Sequence, residues 1–322
     1  MIHARGLTQV FKTRQGREKV DVTAVAGVDL DIAEGEIVSF LGPNGAGKTT
    51  TLRILTTLLR PTTGTATVAG FDVVSQAADV RRSIGYVSQS GSTGSMTRAG
   101  EEIMDHGRLY GISAAQAKRR DRQLFEQLDL PEMWQRQPKT MSGGQRRRLD
   151  IAMGLIHDPK LVFLDEPTTG LDPQARVNLW KHISDLRDRS GVTVFLTTHY
   201  LDEADALSDR LIVIDHGRIV ASDTAATLKA AVSGDLVDIE VADAAMLPVA
   251  ATKLAAIVDR GDVQATGVHV SGRVARAGAA VPGLLRDLDH AGVELRSIEV
   301  RRPTLDDVFL DLTGRSLRDD AA

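Results

Sequence analysis

The stretch Gly42-Pro43-Asn44-Gly45-Ala46-Gly47-Lys48-Thr49 sets glycines, a lysine and a hydroxyl at the spacing G-x-x-x-x-G-K-[ST]. Such a stretch can hold phosphate. Glycines let main-chain N–H groups converge on phosphate oxygens, and a helix that begins there directs its positive end at the same anion. In that chemistry Lys48 neutralises β- and γ-phosphate charge, and Thr49 places its hydroxyl on Mg2+. A second candidate is Asp165-Glu166, two adjacent carboxylates that follow the apolar run Leu161-Val162-Phe163-Leu164. At the end of a strand they point different ways, so Asp165 can face Mg2+ while Glu166 faces an attacking water. In-line attack on a γ-phosphate needs positioning and charge neutralisation more than covalent chemistry, and no nucleophilic Ser or Cys is required. Third comes Met141-Ser142-Gly143-Gly144-Gln145, ahead of a helical run with Leu149, Ala152, Met153 and Ile156 on its apolar face. It makes another anion site from N–H groups and a helix dipole. One chain with two phosphate-type sites makes sense if the second serves a nucleotide bound by a partner subunit. Alone, the first two motifs have a plainer reading: a turn without ligand and a carboxylate pair that caps a helix.

The flanking segments have the patterns these motifs need. Glu36 to Leu41 reads as a buried strand that stops at Gly42, and Leu52, Leu55, Leu58 and Leu59 have helical spacing that halts at Pro61. Buried strands are predicted at 161–164 and 192–196, and a hairpin at 211–213 and 218–220 around Asp215-His216-Gly217. Helical periodicity between about residues 97 and 157 predicts a helical insertion in an α/β core. Beyond about residue 225 the texture turns Ala- and Val-rich without a phosphate motif, which predicts a domain boundary between 1–225 and 226–322. In the second part strands are expected at 236–241, 263–265, 268–270 and 294–300, with helices at 247–258, 281–290 and 304–312. The order β-α-β-β-α-β suggests a small split βαβ domain of α+β type with a terminal helix. Thr304 with Asp307 three residues on has the form of a capping box.

Composition narrows the partners. The 322 residues carry a net charge of −4, so no electrostatic footprint for nucleic acid is present and none is expected as a partner. Cysteine is absent, which excludes disulfides and thiolate metal sites. No apolar run approaches the roughly 18 residues of a membrane span, and Met1-Ile2-His3-Ala4-Arg5 lacks the apolar core of a leader. The chain is therefore expected to be soluble and cytosolic.

Together these motifs resemble those of the ATP-binding cassette (ABC) transporter family over roughly residues 5 to 220. Ser142-Gly143-Gly144-Gln145 is similar to the family's signature, Gln89 in Gly85-Tyr86-Val87-Ser88-Gln89 to its Q-loop, and Gly170-Leu171-Asp172 to its D-loop. His199, ending Phe195-Leu196-Thr197-Thr198-His199, resembles the switch histidine, and Phe11 falls where the family carries an aromatic that stacks on adenine. The resemblance implies a P-loop NTPase fold and an ATPase using ATP and Mg2+. It implies Glu166, His199, Lys48 and Gln89 as catalytic residues, and Thr49, Gln89 and Asp165 around the metal. The nucleotide would be held by Phe11, Gly42, Pro43, Asn44, Gly45, Ala46, Gly47, Lys48, Thr49 and Thr50, with Ser142, Gly143, Gly144, Gln145 and Asp172 belonging to the same set. The implied partners are a second copy, head to tail with two ATP molecules between, and a polytopic membrane permease, two copies being expected. The location implied is peripheral, on the cytoplasmic side of the membrane. The ending Arg302-Pro303-Thr304-Leu305-Asp306-Asp307-Val308-Phe309-Leu310 looks like that of the daunorubicin-resistance type of ABC ATPase, which implies export of drugs, antibiotics or lipids. Competing readings are a soluble ABC ATPase on ribosomes or DNA, against which stand the single cassette and the absence of sustained heptads, and an importer subunit. The sequence departs from the family pattern at Met141, where Leu is usual, and in the Gly/Ser-rich stretch Ser90 to Thr97 after Gln89.

Overall fold

The computed structural model describes residues 1–15, 18–94, 96–232, 234–258 and 260–314. The chain divides into two compact units, residues 1–225 and a second that begins at residue 226. The first opens with strands β1 (Ile2–Gln15), β2 (Glu18–Ile32) and β3 (Ile37–Leu41), then helix α1 (Lys48–Leu55), β4 (Thr63–Val68), β5 (Phe71–Asp72), α2 (Ala77–Ser83) and β6 (Ile84–Val87). Helices α3 (Ala99–Leu109), α4 (Ala114–Gln127) and α5 (Gly143–Leu155) are inserted before β7 (Leu161–Asp165), α6 (Pro173–Ser190) and β8 (Thr193–Thr198). Helix α7 (Leu201–Leu207) and the pair β9 (Arg210–Asp215) and β10 (Arg218–Asp223) close the unit.

A sheet in the order β10-β9-β3-β8-β7-β6 forms the centre, parallel except for the antiparallel edge strand β10. Strands β3, β7 and β8 are buried along their whole length, which is why they read as continuous apolar runs instead of alternating ones. Their side chains still alternate between two cores. Phe40, Phe163 and Phe195 face one side, with ring centroids 5.5 and 5.6 Å apart, and meet Leu52 and Leu55 of α1 and Leu7 and Leu30 of a second, antiparallel sheet, β2-β1-β4-β5. Full burial of each ring stabilises by roughly 2–3 kcal/mol relative to exposure. Val162, Leu164, Val194 and Leu196 face the other side and meet Leu149 and Ala152 of α5, Ile103 of α3 and Leu179 of α6. The parallel sheet thereby presents the C-terminal ends of β3, β7 and β8 together, where loops can gather at a ligand. Among the described residues no helix is long and apolar enough to cross a membrane.

One half-buried histidine should make this unit acid-sensitive. His157 stacks on Tyr110 at 3.8 Å, and its Nε2 lies 2.9 Å from the Ile84 carbonyl, so Nε2 carries the proton and Nδ1 is bare. Nδ1 is buried with no partner among the described residues, and burial pushes the imidazole down to about 4. A lowered histidine pKa means that the unfolded chain takes up the proton first, so stability falls as pH drops from the ordinary histidine range toward 4 and levels off below it. The linkage amounts to about 2–3 kcal/mol between pH 7 and 4.5. His157→Gln, which can still donate to Ile84, should flatten the pH dependence of urea unfolding by about that amount; an unchanged slope would show that His157 does not carry it.

In the second unit α8 (Ala225–Ala231) begins at the boundary, followed by β11 (Asp235–Val241), α9 (Leu247–Ala255), β12 (Arg260–Thr266), β13 (His269–Val274), α10 (Ala277–His290), β14 (Leu295–Arg301) and α11 (Leu305–Thr313). The four strands form an antiparallel sheet in the order β12-β13-β11-β14, with Val237, Ile239 and Val241 packed against Leu254, Leu284 and Leu288. Thr304 and Asp307 close the capping box of α11, with Thr304 N donating to Asp307 Oδ2 at 2.8 Å. Helix α10 starts at Ala277, four residues before the expected start at Val281. Pro282 sits in the second turn, where it removes the bond to the Gly278 carbonyl and its ring crowds that carbonyl.

Candidate active site

The loop after β3 has a shape that only glycine permits at two points. A Cβ on Gly42 would lie 2.3 Å from the Ile214 carbonyl, and one on Gly47, at φ +103°, would lie 2.3 Å from the Ala24 carbonyl. No side chain caps α1, and its first hydrogen bond runs from Thr51 N to Gly47 O. The N–H groups of Lys48, Thr49 and Thr50 have no acceptor within the helix, an arrangement suited to binding an anion. Lys48 is buried and folds back over the loop, its Nζ donating to the carbonyls of Gly42 (2.7 Å) and Pro43 (3.0 Å). Burial lowers its pKa, against the attraction of Glu166 and Asp165.

The carboxylates come from the end of β7. Asp165 Oδ1 accepts from the hydroxyls of Thr197 on β8 (2.7 Å) and Thr49 on α1 (3.2 Å). Glu166, the next residue, turns the chain with φ +44°, a left-handed conformation that non-glycine residues avoid. Its N–H is shared between the hydroxyl and the carbonyl of Thr197 at 3.0 and 3.1 Å. Its carboxylate receives Gln89 Nε2 at 2.9 Å and the Thr169 hydroxyl at 3.0 Å. Lys48 Nζ stands 3.7 Å away and His199 Nδ1 3.3 Å away, the histidine close enough for an ion pair but off the line of a hydrogen bond. Burial pushes the Glu166 carboxyl up, but His199, Lys48 and Thr169 outweigh it and hold the group below the ordinary glutamate value. Glu166 is therefore ionised at neutral pH, as a proton acceptor must be.

The structure thus brings Lys48, Thr49, Gln89, Asp165, Glu166 and His199 into one cluster, beside a cavity of about 340 Å³ that Asn44, Gly45 and Thr50 also line. Gln89 meets Glu166 through its amide nitrogen, on the carboxylate rather than on the Thr49 and Asp165 pair. Thr197 and Thr169 also belong to the cluster; the hydroxyl pair before His199 is the sequence signal for Thr197 alone. Phe11 is 41% exposed on β1 opposite Val22, and Ala24 of β2 reaches the cavity, whereas Phe11 is not in the cavity wall. Ser142, Gly143, Gly144, Gln145 and Asp172 do not line it either. Ser142 instead caps α5, its Oγ accepting from Gln145 N at 3.2 Å while Gln145 Oε1 accepts from Ser142 N at 3.0 Å. Asp172 caps α6 through Ala175 N at 2.9 Å. The two helix starts touch: Leu171 and Ala175 lie 3.4 and 3.3 Å from where Cβ atoms on Gly143 and Gly144 would be.

Comparisons with known proteins agree on what this arrangement is. Residues 25–169 match the ABC transporter family, and residues 224–313 match the C-terminal domain of DrrA1-3-like ATP-binding proteins. The chain is 42% identical over 310 residues to the daunorubicin resistance ATP-binding protein DrrA3 of Streptomyces coeruleorubidus, covering 95% of this chain and 96% of that one. It is 41% identical to the doxorubicin resistance ATP-binding protein DrrA of Mycobacterium tuberculosis, over 92% and 90% of the two chains. Among solved structures it resembles a dimeric ATP-binding cassette in a post-hydrolysis state bound to ADP and Pi, with 26% identity and a TM-score of 0.62 over 70% of this chain and 98% of that one. The phosphate loop, the paired carboxylates and a relationship that runs almost from end to end place the chain in the ABC transporter family, among its daunorubicin- and doxorubicin-resistance ATP-binding proteins.

Proposed function

We propose that this chain is the ATP-hydrolysing subunit of an exporter of drugs, antibiotics or lipids, working with a separate membrane permease. The observation that carries the reading is the single carboxylate of Glu166, with Gln89, Thr169, His199 and Lys48 from four segments converging on it beside the phosphate loop. The resistance proteins it resembles support the exporter side. Lys48 would exchange the Gly42 and Pro43 carbonyls for β- and γ-phosphate oxygens, which frees Glu166 to accept a proton from the attacking water. His199 and Gln89 would hold that carboxylate in line. Thr49 and Asp165 offer adjacent hard oxygen donors of the type Mg2+ takes, and the ion would supply charge neutralisation on the phosphates. Phe11 would take the adenine ring. Gly42 to Thr50 would cradle the triphosphate, and Ser142 to Gln145 with Asp172 of a second, head-to-tail copy would complete the site from the other side.

In this reading residues 1–225 are the ATP-binding domain, with about 97–157 as its helical subdomain, and 226–322 are an accessory domain for dimerisation or regulation. The pair of chains would sit on the cytoplasmic face of the membrane against two permease subunits and move them as the nucleotide sandwich closes and opens. The tagged chain, extracted with detergent from membranes of its own cells, should bring down a polytopic membrane protein. Recovery with ribosomes in place of a membrane protein would overturn the exporter reading.

A further inference from the structure

We propose that Arg147 is a positioning residue for hydrolysis: one guanidinium fixes the backbone on both sides of Glu166 and at the start of the Gln89 loop. The inference rests on the reading of Glu166 as proton acceptor. Arg147 lies on α5, two residues after Gln145, and is 6% exposed. All three of its hydrogen bonds go to main-chain carbonyls: Nε to Pro167 (2.8 Å), Nη2 to Asp165 (2.9 Å) and Nη1 to Ser88 (2.6 Å). Asp165 and Pro167 flank Glu166, so the guanidinium clamps the peptide on either side of a residue held at φ +44°. Ser88 precedes Gln89, whose side chain donates to the Glu166 carboxylate. Acceptor and partner are thus set by the same planar group, a fork that a lysine cannot reproduce.

Burying this cation costs free energy, which its three carbonyl bonds and the nearby carboxylates of Asp150 and Asp165 offset. One helical turn on, the buried carboxylate of Asp150 holds the far side of the same loop, accepting from Ser92 N at 2.8 Å and Thr93 N at 3.1 Å. Gly91, at φ +76°, has no room for a Cβ there, since Asp150 Oδ2 would lie 2.7 Å from it. The Gly/Ser-rich stretch after Gln89, a departure from the family pattern, is what allows the loop to wrap onto Asp150. The helix that presents Ser142 at its start therefore also sets Gln89 and Glu166 of its own chain.

The test uses the full chain with Mg-ATP, comparing Arg147→Met, Arg147→Lys and Glu166→Gln by steady-state hydrolysis and, separately, by titration calorimetry of Mg-ATP binding. Arg147→Met should lower kcat by about 30-fold with KM and Kd within about threefold of the parent, and Arg147→Lys should recover only part of kcat. Arg147→Lys keeps the charge and carries the same test if the Met variant does not fold. The proposal is overturned if kcat stays within about threefold of the parent, or if kcat and ATP affinity fall together in the variants that fold. Parental turnover in Glu166→Gln sinks the underlying reading of Glu166 instead, whatever the Arg147 variants do.

Discussion

Glu166→Gln should bind Mg-ATP at least as tightly as the parent chain and turn it over about 10²- to 10⁴-fold more slowly. Glutamine keeps the length and volume of the side chain and can still accept from Gln89 Nε2 and the Thr169 hydroxyl, so the pocket is not expected to rearrange. What goes is the negative charge facing Lys48 and His199, and with it the capacity to take a proton from water. Removing a carboxylate next to the γ-phosphate also removes repulsion, so the ATP-bound dimer should accumulate and show itself by gel filtration in Mg-ATP. The parent's pH profile adds a second reading. Because the Glu166 carboxyl is held below its ordinary value despite burial, the acid limb of kcat/KM should fall below the usual glutamate range. The same shift contributes stability that is present above the unfolded-chain value and lost as pH drops through the folded one. Parental turnover in the variant would remove Glu166 as the acceptor, and an acid limb near neutrality would point to a histidine.

The parts of the site visible in the sequence are those that a few consecutive residues specify. The phosphate loop is one, because strand, glycines, lysine and helix start follow one another directly; the Asp165-Glu166 pair is another, because the strand before it is apolar on both faces. Thr197 was harder to see. Its role depends on β8 lying beside β7, where its hydroxyl accepts from Glu166 N and donates to Asp165. Arg147 and Asp150 look like an ordinary charged helix face until α5 is packed against the loop at 88–93. Strands β1 and β2 are not legible in the sequence because register shifts after Ala4, Leu7 and Gln9 break the alternation that identifies a half-buried strand. Ser142 to Gln145 is legible from the residues as a second anion site, whereas Asp172 enters only by resemblance. Within one chain Ser142 and Asp172 each have a complete structural job as a helix cap, so their local contacts alone do not call for a second molecule.

Gly47→Ala should abolish tight nucleotide binding by a different route from Lys48→Ala, and the pair separates loop shape from loop charge. At φ +103° an L-residue is strained whatever the space, and here the added methyl would also meet the Ala24 carbonyl at 2.3 Å and the Gly217 Cα at 3.5 Å. Neither is the end of a flexible side chain, so the loop itself has to move, carrying the N–H groups of Lys48 to Thr50 off the phosphate. A loss of about 100-fold in Mg-ATP affinity, or about 3 kcal/mol, is expected, with a fall of several degrees in the melting temperature of the nucleotide-free chain. Lys48→Ala should weaken Mg-ATP binding comparably while leaving that melting temperature nearly unchanged. The buried ammonium costs desolvation that its bonds to Gly42 and Pro43 only offset, as its lowered pKa reflects. Parental affinity in Gly47→Ala would mean that the phosphates are held by side-chain charge alone. The convergent N–H groups, which are the reason for the glycines, would then have no part in binding.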